Sequence, residues 1–272
     1  MSKILRNTIL SVMAVVFILL QSKVLYAQRI EVGLSLGAAN YVGDLAPSMV
    51  PSETKPAIGI FGRYALSSSF AFKAEILSTQ LTGSDQNFAF NAPRNLSFRT
   101  DITEYSGVLE FNFSKYGLNI LDKKFTSYVF LGVAMLEFKP ETYFQNAWYD
   151  LRSIKTEGKS YGSRTYAIPF GMGIKYKVGR KFGFEANVGF RKTYTDYLDD
   201  VSGTYINNAD QNKNMGAVAA ILTDRSAEIN NGVPQFQTGS KRGNADFNDW
   251  YMVVSVSLSY RIFNPTKCAR FY

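Results

Sequence analysis

A chain of 272 residues with a formal charge of +8 and no histidine has the length of one barrel-sized domain, and it lacks the imidazoles on which most triads, general bases and metal centres depend. Taking away Lys3, Arg6 and Lys23 of the leading segment lowers the charge to about +5. The remaining basic residues are scattered and match no nucleic-acid motif, and the single cysteine, Cys268, rules out an intrachain disulfide.

Lys3 and Arg6 precede an apolar run over residues 9–20, which closes on small residues at Ala27. The run of about 12 residues is short of the roughly 20 that span a bilayer, so residues 1–27 read as a secretory signal peptide. No cysteine stands near the cleavage region, which argues against a lipoprotein. The expected mature chain is a barrel domain over 28–263 with a C-terminal tail over 264–272.

Beyond the leader, apolar residues recur at every second position. Ile30, Val32, Leu34 and Leu36 form the first set, Ile58, Ile60, Tyr64 and Leu66 the second, and Phe70, Phe72, Ala74 and Ile76 the third. The fourth holds Tyr105, Leu109, Phe111 and Phe113; the fifth, residues 128–138, is apolar on both faces and its register is open. Tyr166, Ile168, Phe170, Met172, Ile174 and Tyr176 make the sixth, and Phe182, Phe184, Val188 and Phe190 the seventh. The eighth runs Trp250, Met252, Val254, Val256, Leu258, Tyr260 and Ile262, with serines and Arg261 between them. Trp250 and Tyr260 stand ten residues apart, as do Tyr166 and Tyr176. At about 3.3 Å per residue and a tilt of about 40°, that spacing projects to about 25 Å, the height between the two aromatic girdles of an outer-membrane barrel. The intervening segments alternate long and short, with 42–56, 80–97, 140–165 and 195–248 long, 67–69 and 179–181 tight, and 114–124 intermediate. The expectation is therefore an eight-stranded antiparallel transmembrane β-barrel, all-β, with long extracellular loops and both termini periplasmic.

On the opposite face of these strands lie Arg63, Lys73, Lys175, Arg191 and Arg261 against Glu31, Glu75, Glu104, Glu110 and Glu185. A barrel of this size holds only its own side chains, so these charges should pair and plug it, with a conducting pore as the competing possibility. In the last loop Asp196, Asp199 and Asp200 are followed by Asp210, Asp224, Asp246 and Asp249. Such oxygens suit calcium, but the spacing fits no EF-hand, and hydrogen-bonded loop carboxylates are the simpler reading. A short helix is expected within residues 215–229, capping the barrel or meeting a partner. At the periplasmic end, strand parity brings the turn 114–124 beside the tail 264–272. Lys115, Tyr116, Leu118, Lys267, Arg270, Phe271 and Tyr272 mix charge with apolar surface there, as an interaction patch does or as a turn folded onto the rim would.

Several strings combine into a more specific likeness: Tyr41-Val-Gly-Asp-Leu45, the sixth strand from Tyr166 to Tyr176, Thr195-Asp-Tyr-Leu-Asp-Asp-Val-Ser202, Asp224-Arg-Ser226, Arg242-Gly243 and Asp249-Trp-Tyr251. In this order and spacing the chain resembles the PorG-like family of Bacteroidota outer-membrane barrels over nearly its whole mature length. The resemblance implies a non-enzymatic accessory or structural component of the type IX protein secretion system, contacting periplasmic PorK/PorN-type ring subunits. It implies no cofactor, metal or catalytic residue, and outer-membrane lipid is the other partner. The alternative is a passive envelope-stabilising or small-solute barrel.

Overall fold

The computed structural model describes residues 30–117 and 122–262. Nine strands form: β1 (Ile30–Val42), β2 (Lys55–Ala65), β3 (Phe70–Ser84), β4 (Ser97–Asn112), β5 (Phe125–Phe144), β6 (Ala147–Asp150), β7 (Arg164–Val178), β8 (Phe182–Thr193) and β9 (Trp250–Arg261). Eight of them pair antiparallel in the order β4-β3-β2-β1-β9-β8-β7-β5, and β4 pairs with β5, so the sheet closes as an eight-stranded barrel whose wall has no free edge. The remaining strand, β6, pairs with β5 alone and turns the upper end of β5 into a hairpin beyond the closed wall.

The barrel is inside-out relative to a soluble one. On β9, Val256 is 62% exposed while its neighbour Ser257 is 5% exposed, and the same alternation puts Leu34, Ile58, Leu131 and Met172 on the exterior. An exterior band of this kind is stable only against lipid, since in water it would be a single apolar patch far larger than monomers carry. The register fixes where the band stops. Ile76, Tyr105, Met135 and Tyr166 lie side by side in successive strands, and the next outward row is Ser78, Thr103, Glu137 and Arg164. Apolar thus gives way to polar in one step across four strands, with Tyr105, Tyr166 and the outward Trp250 among the boundary residues.

Strands reach further toward the long-loop end than alternation suggests. β3 continues to Ser84 and β5 to Phe144, so the expected loop at 80–97 begins as strand and that at 140–165 begins as a hairpin of β5 with β6. Above the lipid band the outward positions turn polar, which hides these extensions from a search for alternating apolar residues. The open register of the fifth strand resolves with Val129, Leu131 and Val133 outward and Tyr128 inward. Both faces are apolar because the inward rings pack against glycine: a Cβ on Gly173 would come 2.7 Å from Tyr128, and one on Gly171 2.7 Å from Phe130. The tight turn between β7 and β8 uses Gly179 at φ 63°, a left-handed conformation other residues rarely adopt.

The long-loop end carries its own apolar core, in which Tyr41, Leu45, Leu81, Phe98 and Leu136 pack with Leu198 and Val201 of the last loop. That loop folds into the mouth as a cap. Its helices are α2 (Asn208–Met215) and α3 (Ala217–Thr223), with a shorter α1 (Leu151–Ile154) in the preceding loop, so helical structure starts before the expected 215–229. Asn207 accepts a hydrogen bond from the Ala209 N–H, and this N-cap sets the earlier start. The expected signal peptide, Leu118 and the tail with Lys267, Cys268, Arg270, Phe271 and Tyr272 lie outside the described residues.

The orientation of the exterior is testable at one pair of neighbours. Val256→Arg should destabilise the inserted barrel by about 2 to 4 kcal/mol, because it puts a charge into hydrocarbon near the midplane. Ser257→Arg should instead meet a steric and like-charge penalty within the lumen. Folding titrations in lipid vesicles would measure both; tolerance of Arg at Val256 equal to that at the exposed loop residue Ala245 would refute the lipid-facing assignment.

Candidate functional site

Strand parity delivers all ten inward charges to one lumen. Arg63 of β2 stands at the centre: its Nη1 lies 3.1 Å from Glu31 of β1, its Nε 2.7 Å from Glu110 of β4, and its Nη2 contacts Glu185 of β8. Lys73 reaches Glu75 at 3.0 Å and Glu185 at 3.7 Å, and Lys175 of β7 reaches Glu110 at 2.6 Å. Arg261 of β9 forks onto Glu31, its Nε donating at 3.0 Å. A separate layer nearer the long-loop end pairs Arg191 with Glu104 at 3.1 Å. Hydroxyls take remaining carboxylate lone pairs: Tyr128 donates to Glu185, Ser35 to Glu75 and Tyr251 to Glu104, each at 2.6 Å. Five cations therefore meet five carboxylates, all buried except the half-buried Glu75. The void between the layers is about 20 Å³, room for about one water.

The two ends of the lumen are closed by different means. At the short-turn end the Arg261 guanidinium donates to the Gly117 carbonyl and Lys177 to the same oxygen at 3.4 Å, which draws the turn after β4 over the opening. Tyr116 is half-buried there, and burial, ahead of the Glu31 charge, pushes the pKa of its hydroxyl well up. The described part of the turn at 114–124 is thus folded onto the barrel rim. Lys115, Lys123 and Lys124 remain exposed around it.

At the long-loop end the closure is a network of acids and hydroxyls. The Tyr41 hydroxyl lies 2.6 Å from Asp199 and 2.7 Å from Asp249, while the Leu198 N–H donates to Asp249 at 2.9 Å and the Val201 N–H to Asp199 at 2.9 Å. Asp200, left-handed at φ 66°, accepts from Thr156 at 2.5 Å and from Tyr161. Arg242 joins Glu157 at 3.1 Å to the Asp200 carbonyl, and Glu157 accepts from the backbone of Ser202 and Gly203 at 2.9 and 2.8 Å. Four of the strings that carry the family likeness, those around Tyr41, Asp199, Arg242 and Asp249, converge here although up to 208 residues separate them. The Asp224-Arg-Ser226 string lies outside this network: Asp224 accepts from the Ser226 N–H at 3.0 Å, and Arg225 donates to Ser97 of β4 at 3.0 Å and Thr142 of β5 at 2.8 Å. Among the described residues no group of acids has the geometry to hold a metal ion. Asp210 and Asp246 stand apart from the network on the loop surface.

Reasoning from sequence identifies the ten lumen charges but not Tyr128 or Tyr251 as their hydroxyl partners, nor Tyr41 as the partner of Asp199 and Asp249, nor Glu157 and Arg242 as a buried pair. Tyr128 and Tyr251 sit among apolar neighbours and read as core. Glu157 and Arg242 sit in irregular loops, where no periodicity marks which side chain turns inward.

Two expectations follow from these contacts. Arg63→Met removes the cation shared by Glu31, Glu110 and Glu185 and should cost about 3 to 5 kcal/mol, measured as a lower urea midpoint in vesicles, because three carboxylates are left facing one another in a dry lumen. In the cap, burial, ahead of the neighbouring Asp249 charge, pushes Asp196 up to about 8, and burial pushes Asp200 up to about 6. Burial drives Asp199 upward too, against its hydrogen bonds from Tyr41 and Val201. An acid held above its ordinary value of 3.8 contributes its full share of stability below that value and loses it as pH rises to and through the folded value, so anchoring of the last loop should weaken from about pH 4, the Asp200 share being gone above about 6 and the Asp196 share above about 8. Hydrogen exchange at residues 195–202, corrected for intrinsic rates, should show this loss, and Asp196→Asn should flatten it above about pH 6.

No curated protein matches the sequence. Among solved structures, Neisserial surface protein A is 7% identical over 85% of this chain and 96% of its own, with a TM-score of 0.43. The outer membrane protein OprG from Pseudomonas aeruginosa is 9% identical over 88% of this chain and 98% of its own, with a TM-score of 0.42. The attachment invasion locus protein Ail of Yersinia pestis is 10% identical over 86% and 99%, with a TM-score of 0.39. The family described as domain of unknown function DUF6089 matches residues 10–220, well over half of the sequence, and the chain belongs to that family.

Proposed function

We propose that the protein is a non-enzymatic outer-membrane barrel acting as an accessory or structural component of type IX protein secretion, with its termini periplasmic and PorK/PorN-type ring subunits as partners. The observation that carries the structural role is the filled lumen: ten mutually neutralising side chains and a void of about 20 Å³ leave no path for a solute. A barrel that conducts nothing works through its faces. The secretion role rests on the ordered strings that resemble PorG-like barrels, and the convergence of four of them on one network supports reading them as a single unit. Alternation of long and short connections supports the orientation. The exposed lysines Lys115, Lys123 and Lys124 ring the short-turn end, where a periplasmic partner would meet them.

The same plug favours a second reading, a passive envelope-stabilising barrel, and one set of experiments separates the two. Purified protein in planar bilayers should give no steady large conductance, and a porin-sized current would remove both readings in favour of a solute channel. Crosslinking in intact envelopes should recover ring subunits with the wild-type barrel. Because Tyr116 and Gly117 anchor the turn, the contact is best broken by charge: Lys115→Glu, Lys123→Glu and Lys124→Glu with truncation after Phe263 should leave the barrel inserted while abolishing ring co-purification and cargo secretion. Normal secretion by that inserted variant would rule the periplasmic surface out and leave the passive reading.

A further inference from the structure

A cleft of about 740 Å³ opens at the long-loop end between the loop after β1, the loop joining β3 to β4, and the stretch leading into β9. Its floor is the pair Val42–Trp250, and Trp250 heads the outward row that continues through Met252 and Val254 onto the lipid-facing wall. Phe90 and Phe247 stand on opposite loops at its rim, 71% and 72% exposed, where neither lipid nor protein covers them. Between them Asn91, Asn244 and Asn248 bring amides into the cleft, and the Asn248 side chain makes no hydrogen bond among the described residues.

The walls are held before any ligand arrives. The Arg94 guanidinium donates to the Asp44 carbonyl at 3.0 Å, to the Arg242 carbonyl, and to Asp85 at 2.6 and 2.8 Å, tying all three loops to one group. Asn91 donates to the Asp44 carbonyl at 3.2 Å, and the Asn244 N–H donates to the Asp44 carboxylate at 2.7 Å. A rigid cleft loses little ordering entropy on binding.

The cleft's chemistry selects its ligand. Arg94 is neutralised by Asp85 and Arg242 by Glu157, while Lys241 donates to Asn244 at 3.0 Å, so an anion would find two of the three lining cations already neutralised. A purely apolar ligand would strand the amides. Exposed aromatic faces stack on the C–H faces of a pyranose, and the Asn248 amide, unlike those of Asn91 and Asn244 that already hold Asp44 and Lys241, offers the paired donor and acceptor that adjacent hydroxyls need. Continuity with the lipid-facing wall puts the cleft where a membrane presents the polar heads of its outer leaflet. We propose that this cleft binds the saccharide head of an outer-leaflet glycolipid, an inference that rests on the outer-membrane location and the proposed orientation but not on the secretion role.

The test takes the full-length protein in phosphatidylethanolamine nanodiscs with and without incorporated lipopolysaccharide, reading hydrogen-exchange protection over residues 88–94 and 241–248. Lipopolysaccharide should protect both segments saturably, and phosphatidylethanolamine alone should not. Phe90→Ala with Phe247→Ala, and separately Asn248→Ala, should weaken binding by about tenfold or more, since stacking and hydrogen bonding are lost without disturbing buried structure. Phe113→Ala, an exposed phenylalanine at the opposite end, should leave it unchanged. Unaltered affinity in the aromatic double variant, or equal protection by phosphatidylethanolamine, would overturn the site. Core oligosaccharide released from the lipopolysaccharide should bind more weakly than the intact molecule; equal binding would overturn the lipid-borne assignment.

Discussion

An eight-stranded barrel has no room for bulk solvent, so every charge that turns inward must find its counter-charge within the wall. Here Arg63 meets three carboxylates from β1, β4 and β8, and each of those carboxylates has a further cationic or hydroxyl partner. The arrangement also fixes register. Sliding one strand by a single residue would move its charges into lipid and its valines and leucines into the lumen, a double penalty that leaves one pairing far below the rest. Buried ion pairs contribute little to net stability compared with apolar packing, but removing one member is costly. In this barrel that asymmetry works as specification: the strands can close in one way only without leaving a charge unmatched.

The cap is held by a different chemistry. Carboxylates at the long-loop end outnumber the cations near them, and Asp199 and Asp249 share the single hydroxyl of Tyr41. Burial favours their protonated forms, which can donate as well as accept, so this pair is satisfied through hydrogen bonds, beside the ion pair that Arg242 makes with Glu157. Lumen and cap are consequently sensitive to different perturbations, the lumen to loss of a partner and the cap to proton activity.

Among the described residues the filled bore leaves no path for a solute, and the proposed roles use the rims instead: the lysine-ringed turn at one end and the aromatic, amide-lined cleft at the other. The two faces are joined by a rigid, charge-locked wall. That suits an anchor better than a gate, because movement of one rim relative to the other would require breaking several buried pairs in concert.

Alternation alone determined that the chain forms an eight-stranded barrel, that Val256 faces lipid while Ser257 faces inward, and that the ten charges from Glu31 to Arg261 share one interior. A period of two is a local property, and a strand with one apolar and one charged face admits a single placement in a membrane. The strand extensions above the lipid, such as residues 77–84, stayed hidden because their outward positions had turned polar. Which cation meets which carboxylate was likewise beyond reach, since Arg63 and Glu185 become neighbours only when the sheet closes. The cap is the extreme case: Tyr41, Asp199, Arg242 and Asp249 were visible as isolated strings, but long irregular loops carry no period that would aim their side chains at one another. Only the tertiary structure, by closing the wall and folding the last loop into its mouth, decided that they meet.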